Sequence, residues 1–173
     1  MKFIDLYAGI GGFHLALKRL GHKCVFASEI DNDLRQLYKM NFGLETRGDI
    51  REIKLSEIPK HDILCAGFPC QPFSKAGDQK GLNCPTSGNL FEYTLRIIKH
   101  HKPRYVILEN VPNLTRHDNG KTWESMEKKL RKAGYNIQHH RLSPHQFGIP
   151  QIRDRVFIVG SKTGLSDFSW PKP

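Results

Sequence analysis

"FIDLYAGIGGFHLAL", residues 3–17, is the stretch on which the reading of the whole chain turns. An apolar run ends in a glycine-rich turn, and the turn passes into a helical pattern, giving strand, turn and helix in that order. A turn of this kind lets backbone N–H groups approach a nucleotide-like ligand at a helix N-terminus. A dinucleotide fingerprint has glycines at its first, third and sixth positions. Here Gly9 and Gly11 are followed by His14 at the sixth, which counts against NAD.

The same alternation of short apolar runs and helical stretches continues outward. Strands are expected at Phe3 to Tyr7, Cys24 to Ser28, Ile63 to Ala66, Tyr105 to Leu108 and Val156 to Val159, with weaker ones around Ile50 and from Asn136 to Leu142. About seven strands separated by helices read as α/β with a mainly parallel sheet. Helical faces are expected at Leu34, Leu37, Tyr38 and Phe42, behind Asp31 and Asn32 as N-cap candidates. Two more are Leu90, Thr94, Ile97 and Ile98, then Met126, Leu130 and Ala133, ended by Gly134. Between Ser74 and Gly88 the periodicity fails, and a long surface loop is expected.

A chain of 173 residues is long enough to bury a core as one domain, and 38% hydrophobic with 25% charged residues excludes a fibrous or disordered class. Lys and Arg number 27 against 17 acidic residues, and the resulting charge of +10 attracts polyanions, nucleic acid first among them. No apolar run reaches membrane-spanning length and no secretory leader precedes the first strand, so a cytoplasmic location is expected. Cys24, Cys65, Cys70 and Cys84 contain no C-x-x-C pair. They suggest neither a metal site nor a disulfide framework.

Chemistry-bearing residues cluster at strand ends. Glu29 closes the second strand about twenty residues past Gly9, where a carboxylate accepts hydrogen bonds from ribose hydroxyls. Asp49 is placed to read an adenine amino group. Each is equally compatible with a solvated strand-end carboxylate; together with the glycine turn they favour an adenosine-containing cofactor. Cys70 lies past the carboxyl end of a strand between Pro69 and Pro72, at the edge where open α/β sheets hold ligands. A small buried hydrophobe is the commoner fate of a free cysteine, one that suits Cys24 and Cys65 inside strands. Glu109 and Asn110 end a further strand, where a buried glutamate with raised pKa makes a proton donor at neutral pH. "QIRDRVFIVG" then carries Gln151, Arg153 and Arg155 into the last strand, where alternation points them to one side. Two such arginines suit phosphate or carbonyl oxygens.

The ordered set "DLYAGIGGF", "SEID", "GDI", "GFPCQPFS", "GNLF" before a helix, "ENV" and "QIRDR" closely resembles the DNA cytosine C5-methyltransferases of bacterial restriction-modification systems. The resemblance covers nearly all of the chain. It implies the Rossmann-like α/β fold of S-adenosylmethionine-dependent methyltransferases, with about seven mostly parallel strands and helices on both faces. Residues 1–173 would then be the catalytic and cofactor-binding domain. By position it implies Cys70 as nucleophile, Glu109 engaging cytosine N3 and the amino group, and Arg153 and Arg155 holding the base and nearby backbone. Gln71, Ser74, Asn110 and Gln151 would line the substrate side. On the S-adenosyl-L-methionine side it implies Tyr7 on the adenine face, the turn Ala8, Gly9, Gly11 and Gly12, and Glu29 on the ribose. Asp49 and Ile50 would meet the adenine edge, with Pro69 and Leu90 elsewhere in the pocket. Ile30 stands where an aromatic often completes the adenine sandwich, so stacking is expected to be one-sided.

The partner implied is double-stranded DNA, with the Ser74 to Gly88 loop closing over a flipped base. The family's target-recognition region and a final Gly-Asn-Ser segment are missing before Pro173, which leads to the expectation of a catalytic half, split or truncated, served by a second polypeptide. The alternatives are a tRNA cytosine C5-methyltransferase and a non-catalytic cofactor-binding subunit. "GFPCQPFS" leans towards DNA, and the presence of Cys70, Glu109 and both arginines weighs against the subunit.

Overall fold

The computed structural model describes residues 1–69 and 90–173. Six strands form one sheet: β1 (Lys2–Leu6), β2 (Lys23–Ser28), β3 (Ile63–Ala66), β4 (Tyr105–Asn110), β5 (Asn136–Leu142) and β6 (Arg155–Ser161), in the order β2-β1-β3-β4-β6-β5. β1 runs parallel to β2 and to β3, whereas β5 and β6 are antiparallel, so the sheet is mixed. The helices are α1 (Gly12–Arg19), α2 (Asn32–Phe42), α3 (Leu90–His101) and α4 (Lys121–Lys132). None of the described helices is long and apolar enough to cross a membrane.

The described residues fall into two compact units. In the first, Met1–Phe68 with Leu90–Val106, the strands are covered on both faces, and such strands read as continuous apolar runs rather than alternating ones. Phe3, Ile4, Leu6 and Leu64 to Ala66 are fully buried, and β3 has no exposed residue at all. Asp31 caps α2 by accepting hydrogen bonds from the backbone N–H groups of Asp33 and Leu34 at 2.9 and 3.0 Å, and Gly43 ends it in the left-handed conformation. α3 buries Phe91, Thr94, Leu95, Ile97 and Ile98.

In the second unit, Pro69–Asn89 with Ile107–Pro173, α4 buries Trp123, Met126 and Leu130 and stops at Ala133 ahead of left-handed Gly134. β5 and β6 pair in register from Asn136 opposite Ser161 to Leu142 opposite Arg155.

Three expectations are corrected. The strand around Ile50 does not form: Arg47 makes a single bridge to Ser28, and the chain then turns because the Asp49 side chain accepts the Arg51 backbone N–H at 2.9 Å. Among the described residues six strands stand where about seven are expected. On α2 only Tyr38 of the expected apolar face is fully buried, and Leu37 is 39% exposed. The last strand begins only at Arg155, so strand alternation does not govern Gln151 and Arg153.

Candidate functional site

The glycine turn is built by backbone conformations that the sequence permits at few places. Tyr7 and Gly9 have φ of 55° and 53°, and Gly11 has 85°. A Cβ at Gly11 would lie 2.2 Å from Cε2 of Phe42, so glycine is required there both for its torsion and for the close approach of α2. Gly12 opens α1, and a Cβ there would meet nothing. No side chain caps α1 and its first turn holds no acid, which leaves N–H groups directed at whatever lies before the helix.

Glu29 ties this turn to the start of α2. Its Oε2 accepts the Gly9 N–H at 2.8 Å and its Oε1 accepts the Asp31 N–H at 3.0 Å. The Ala8 N–H meanwhile donates to Ser28 at 3.0 Å, locking the turn onto β2. A carboxylate fixed by two backbone donors keeps lone pairs for a further donor, as a ribose acceptor must.

Tyr7 and Leu90 stand 83 positions apart and are brought together: the Tyr7 hydroxyl donates to the Leu90 carbonyl at 2.9 Å and lies 3.2 Å from Thr94 Oγ1. Burial pushes the Tyr7 phenol up, so it stays neutral. Asp49 is held by Arg51, whose Nε donates at 2.8 Å, and this hydrogen bonding keeps its carboxyl below the usual range. Ile50 is buried, while Ile30 is 65% exposed and Pro69 is exposed. Arg51 was not read from the sequence, and Thr94 was read only as part of a helical face. Both act on residues that were read as site residues, and a helical Thr or an Arg two places past an Asp carries no signal of its own.

In the second unit the half-buried Glu109, at the end of β4, pairs with Arg155 at the start of β6, with Nε donating to Oε1 at 2.8 Å. Burial raises the Glu109 carboxyl, and the charges of Arg155 and Arg153 pull it back down. Arg155 also donates to the Asp154 carbonyl at 2.7 Å, fixing its guanidinium. Arg153 and Gln151 are exposed. Asn110 is buried and its Oδ1 accepts the Val111 N–H at 2.9 Å, so part of its capacity is spent locally.

The segment before β6 hangs on Ser143, another residue the sequence did not single out. Its Oγ accepts the Arg153 N–H at 3.0 Å, and it forms a capping box with Gln146 around Pro144. Cys65 is fully buried, its thiol pushed well up by burial, and burial takes Cys24 to about 11. Cys70, Gln71 and Ser74, with Cys84 and the loop from Ser74 to Gly88, lie outside the described residues.

The first unit is an α/β unit whose glycine turn is tied down by Glu29, and the second carries an arginine-held glutamate at a strand end. The C-5 cytosine-specific DNA methylase family model matches residues 1–173, and the chain belongs to that family. It is 50% identical over 173 residues to the type II methyltransferase M.HaeII of Haemophilus aegyptius, covering 99% of this chain and 54% of that protein. To the type II methyltransferase M.HhaI of Haemophilus parahaemolyticus it is 43% identical over 175 residues, covering 100% and 53%. The crystal structure of the S. pombe Dnmt2 methyltransferase matches with a TM-score of 0.79 at 29% identity, covering 98% of this chain and 53% of that one. The chain thus spans about half the length of the curated relatives it matches.

Proposed function

We propose that this chain is the catalytic and cofactor-binding part of a DNA cytosine C5-methyltransferase of a restriction-modification system, acting on cytosine everted from duplex DNA. The observation that carries the reading is Glu109 with its raised carboxyl held by Arg155, in a chain of this family. A glutamate balanced between burial and a cation changes protonation readily as charge develops nearby.

The residues present fit S-adenosylmethionine. The turn offers open space at Gly9 and Gly12, Glu29 is anchored as an acceptor, and Tyr7 is fixed through its hydroxyl. When bound, the cofactor supplies an electrophilic methyl group on a sulfonium. The turn and Glu29 would hold its nucleoside, with Asp49 and Ile50 at the adenine edge.

Cytosine C5 is too weak a nucleophile to accept a methyl group unaided. Cys70, as thiolate, adds to C6 and turns C4–C5–C6 into an enamine nucleophilic at C5. Glu109 donates to N3 and accepts from the exocyclic amino group, drawing charge from the ring as the thiolate attacks, while Arg155 and Arg153 steady the glutamate and the base. Loss of the C5 proton, then expulsion of the Cys70 sulfur, restores the aromatic ring. Eversion of the nucleotide costs about a few kcal/mol, offset by contacts with the flipped base.

The test is transfer of labelled methyl to duplex DNA by this chain alone and together with the polypeptide encoded immediately downstream. Transfer to duplex DNA that needs both is the expected result, with covalent adduct formation on 5-fluorocytosine DNA lost in Cys70→Ser. Methylation of tRNA and not of duplex DNA would move the chain to the tRNA branch of the mechanism. An adduct retained in Cys70→Ser would remove that thiol from it.

A further inference from the structure

Beneath the glycine turn lies a set of polar side chains that the proposed reaction does not use. Asp5, next to the end of β1, is 0% exposed, and its Oδ1 has no hydrogen-bond partner among the described residues. Its Oδ2 lies 3.4 Å from the hydroxyl of Tyr38 on α2, also 0% exposed, and that hydroxyl lies 2.7 Å from Nδ1 of buried His14 on α1. The His14 ring stacks on Phe42 with centroids 3.9 Å apart, and Phe42 and Tyr38 together occupy the space a Cβ of Gly11 would need. One chain of contacts therefore runs from a strand carboxyl, through α2 and α1, to the backbone of the turn.

We propose that Asp5, Tyr38 and His14 are positioning residues that set the cofactor-binding turn through Phe42 and Gly11, and that they hold it in place only while Asp5 carries its proton. The inference rests on the reading of that turn as the seat of S-adenosylmethionine.

The chemistry of the chain gives the reason. With Asp5 neutral, its O–H donates to Tyr38 Oη, and the Tyr38 O–H donates to an unprotonated His14 Nδ1. Ionising Asp5 forces both bonds to reverse: Tyr38 donates to the carboxylate, and His14 must move its proton to Nδ1 to donate to Tyr38. A buried charge without a cation demands shorter bonds, which draws Tyr38 and its helix towards β1 and shifts Phe42 against Gly11. Among the described residues the groups facing Asp5 supply no cation, and Lys18 on α1 acts on His14 and lies over the Phe42 ring. From α2 there is Tyr38, from α1 neutral His14, from β2 Cys24 and the Glu29 carboxylate at its end, and from β3 Cys65. Burial first, and the charge of Glu29 in addition, lift the Asp5 carboxyl to about 8, against the pull of Tyr38 and the nearby His14 backbone amide. The switch therefore falls in a range that solution measurements reach.

The experiment is titration calorimetry of the chain with S-adenosylmethionine between about pH 6.5 and about pH 9.5, on the wild type and on Asp5→Asn. The ligand's own amino group titrates in both, so the difference between them isolates Asp5. The wild type should lose about fivefold more affinity than Asp5→Asn across that range, and near pH 8.5 it should take up protons on binding that the variant does not. Coincident profiles would overturn the inference and leave the cofactor reading standing. A folded wild type that binds no S-adenosylmethionine at any pH would overturn the cofactor reading itself. Should Asp5→Asn fail to fold, nitrogen-15 NMR of His14 in the wild type decides. Its proton should pass from Nε2 to Nδ1 as pH rises, with a midpoint that moves upward when the cofactor is added, and an unchanging tautomer would rule the chain out.

Discussion

Asp5 and Glu109 are both carboxyls raised by burial, and they are held by opposite means. Asp5 is sealed in the first unit among a phenol, an imidazole and two thiols, without a cation, and sits at about 8. Glu109, in the second unit, is only half-buried and has Arg155 against it, with Arg153 adding to the pull. Burial without a counter-charge gives a group that stays neutral and serves structure. Burial balanced by arginine gives one whose proton is free to respond to a substrate. The roles proposed for the two carboxyls, positioning and reaction, thus differ by what stands beside each.

The largest effect should come from breaking the Asp5 side at Gly11. Gly11→Val places a branched side chain at φ 85° and into the Phe42 ring. Denaturant unfolding should show a loss above about 4 kcal/mol, and S-adenosylmethionine binding should disappear. A variant that folds and binds normally would mean that α2 does not define the turn.

The Glu109 side comes next. Glu109→Gln removes the acid while keeping the shape, and methyl transfer should fall by about 10²–10³-fold. Arg155→Met leaves the carboxyl and removes the cation pulling it down, so the Glu109 pKa should rise further. The pH–rate profile of transfer should then move to higher pH. A profile that moves down, or stays, would break the contrast with Asp5.

Much of this was legible in advance, for physical reasons. Parallel strands buried on both faces announce themselves as apolar runs, a turn needing left-handed torsions concentrates glycine, and a strand-end glutamate and the arginines of "QIRDR" stand out as charges at the edges of such runs. The remainder depended on partners distant in sequence. Asp5 is a single acid inside an apolar run, and nothing local shows that Tyr38, 33 residues on, hydrogen-bonds to it. Asp49 reads as a free adenine-edge acceptor until Arg51 is seen holding it. The extra strand around Ile50 failed because Asp49 closes a turn, its side chain accepting the Arg51 N–H and its carbonyl the Glu52 N–H.

An effect smaller per pH unit tests the Asp5 side through stability. The folded carboxyl sits near 8 and the unfolded one in the ordinary carboxylate range, so between these the folded chain holds a proton that the unfolded chain has released. Stability should therefore fall as pH rises through that window, by at most about 1.4 kcal/mol per pH unit from this group, and level off above it. Chemical denaturation at several pH values should show the slope in the wild type and its loss in Asp5→Asn. An equal slope in both would mean that the proton belongs elsewhere.

The smallest effect is expected on the outside of the same helix. Lys39 and Glu45 form an ion pair, but their side chains are 59% and 77% exposed, so water screens the attraction and both pay conformational entropy to meet. Lys39→Ala should change unfolding free energy by less than about 0.5 kcal/mol and leave cofactor affinity unaltered. Lys39 stands one position past buried Tyr38, so Lys39→Ala probes the outer face of the turn of α2 whose inner face meets Asp5. A large loss from Lys39→Ala would mean that surface charge, and not the buried hydrogen-bonded chain, fixes this helix against the glycine turn.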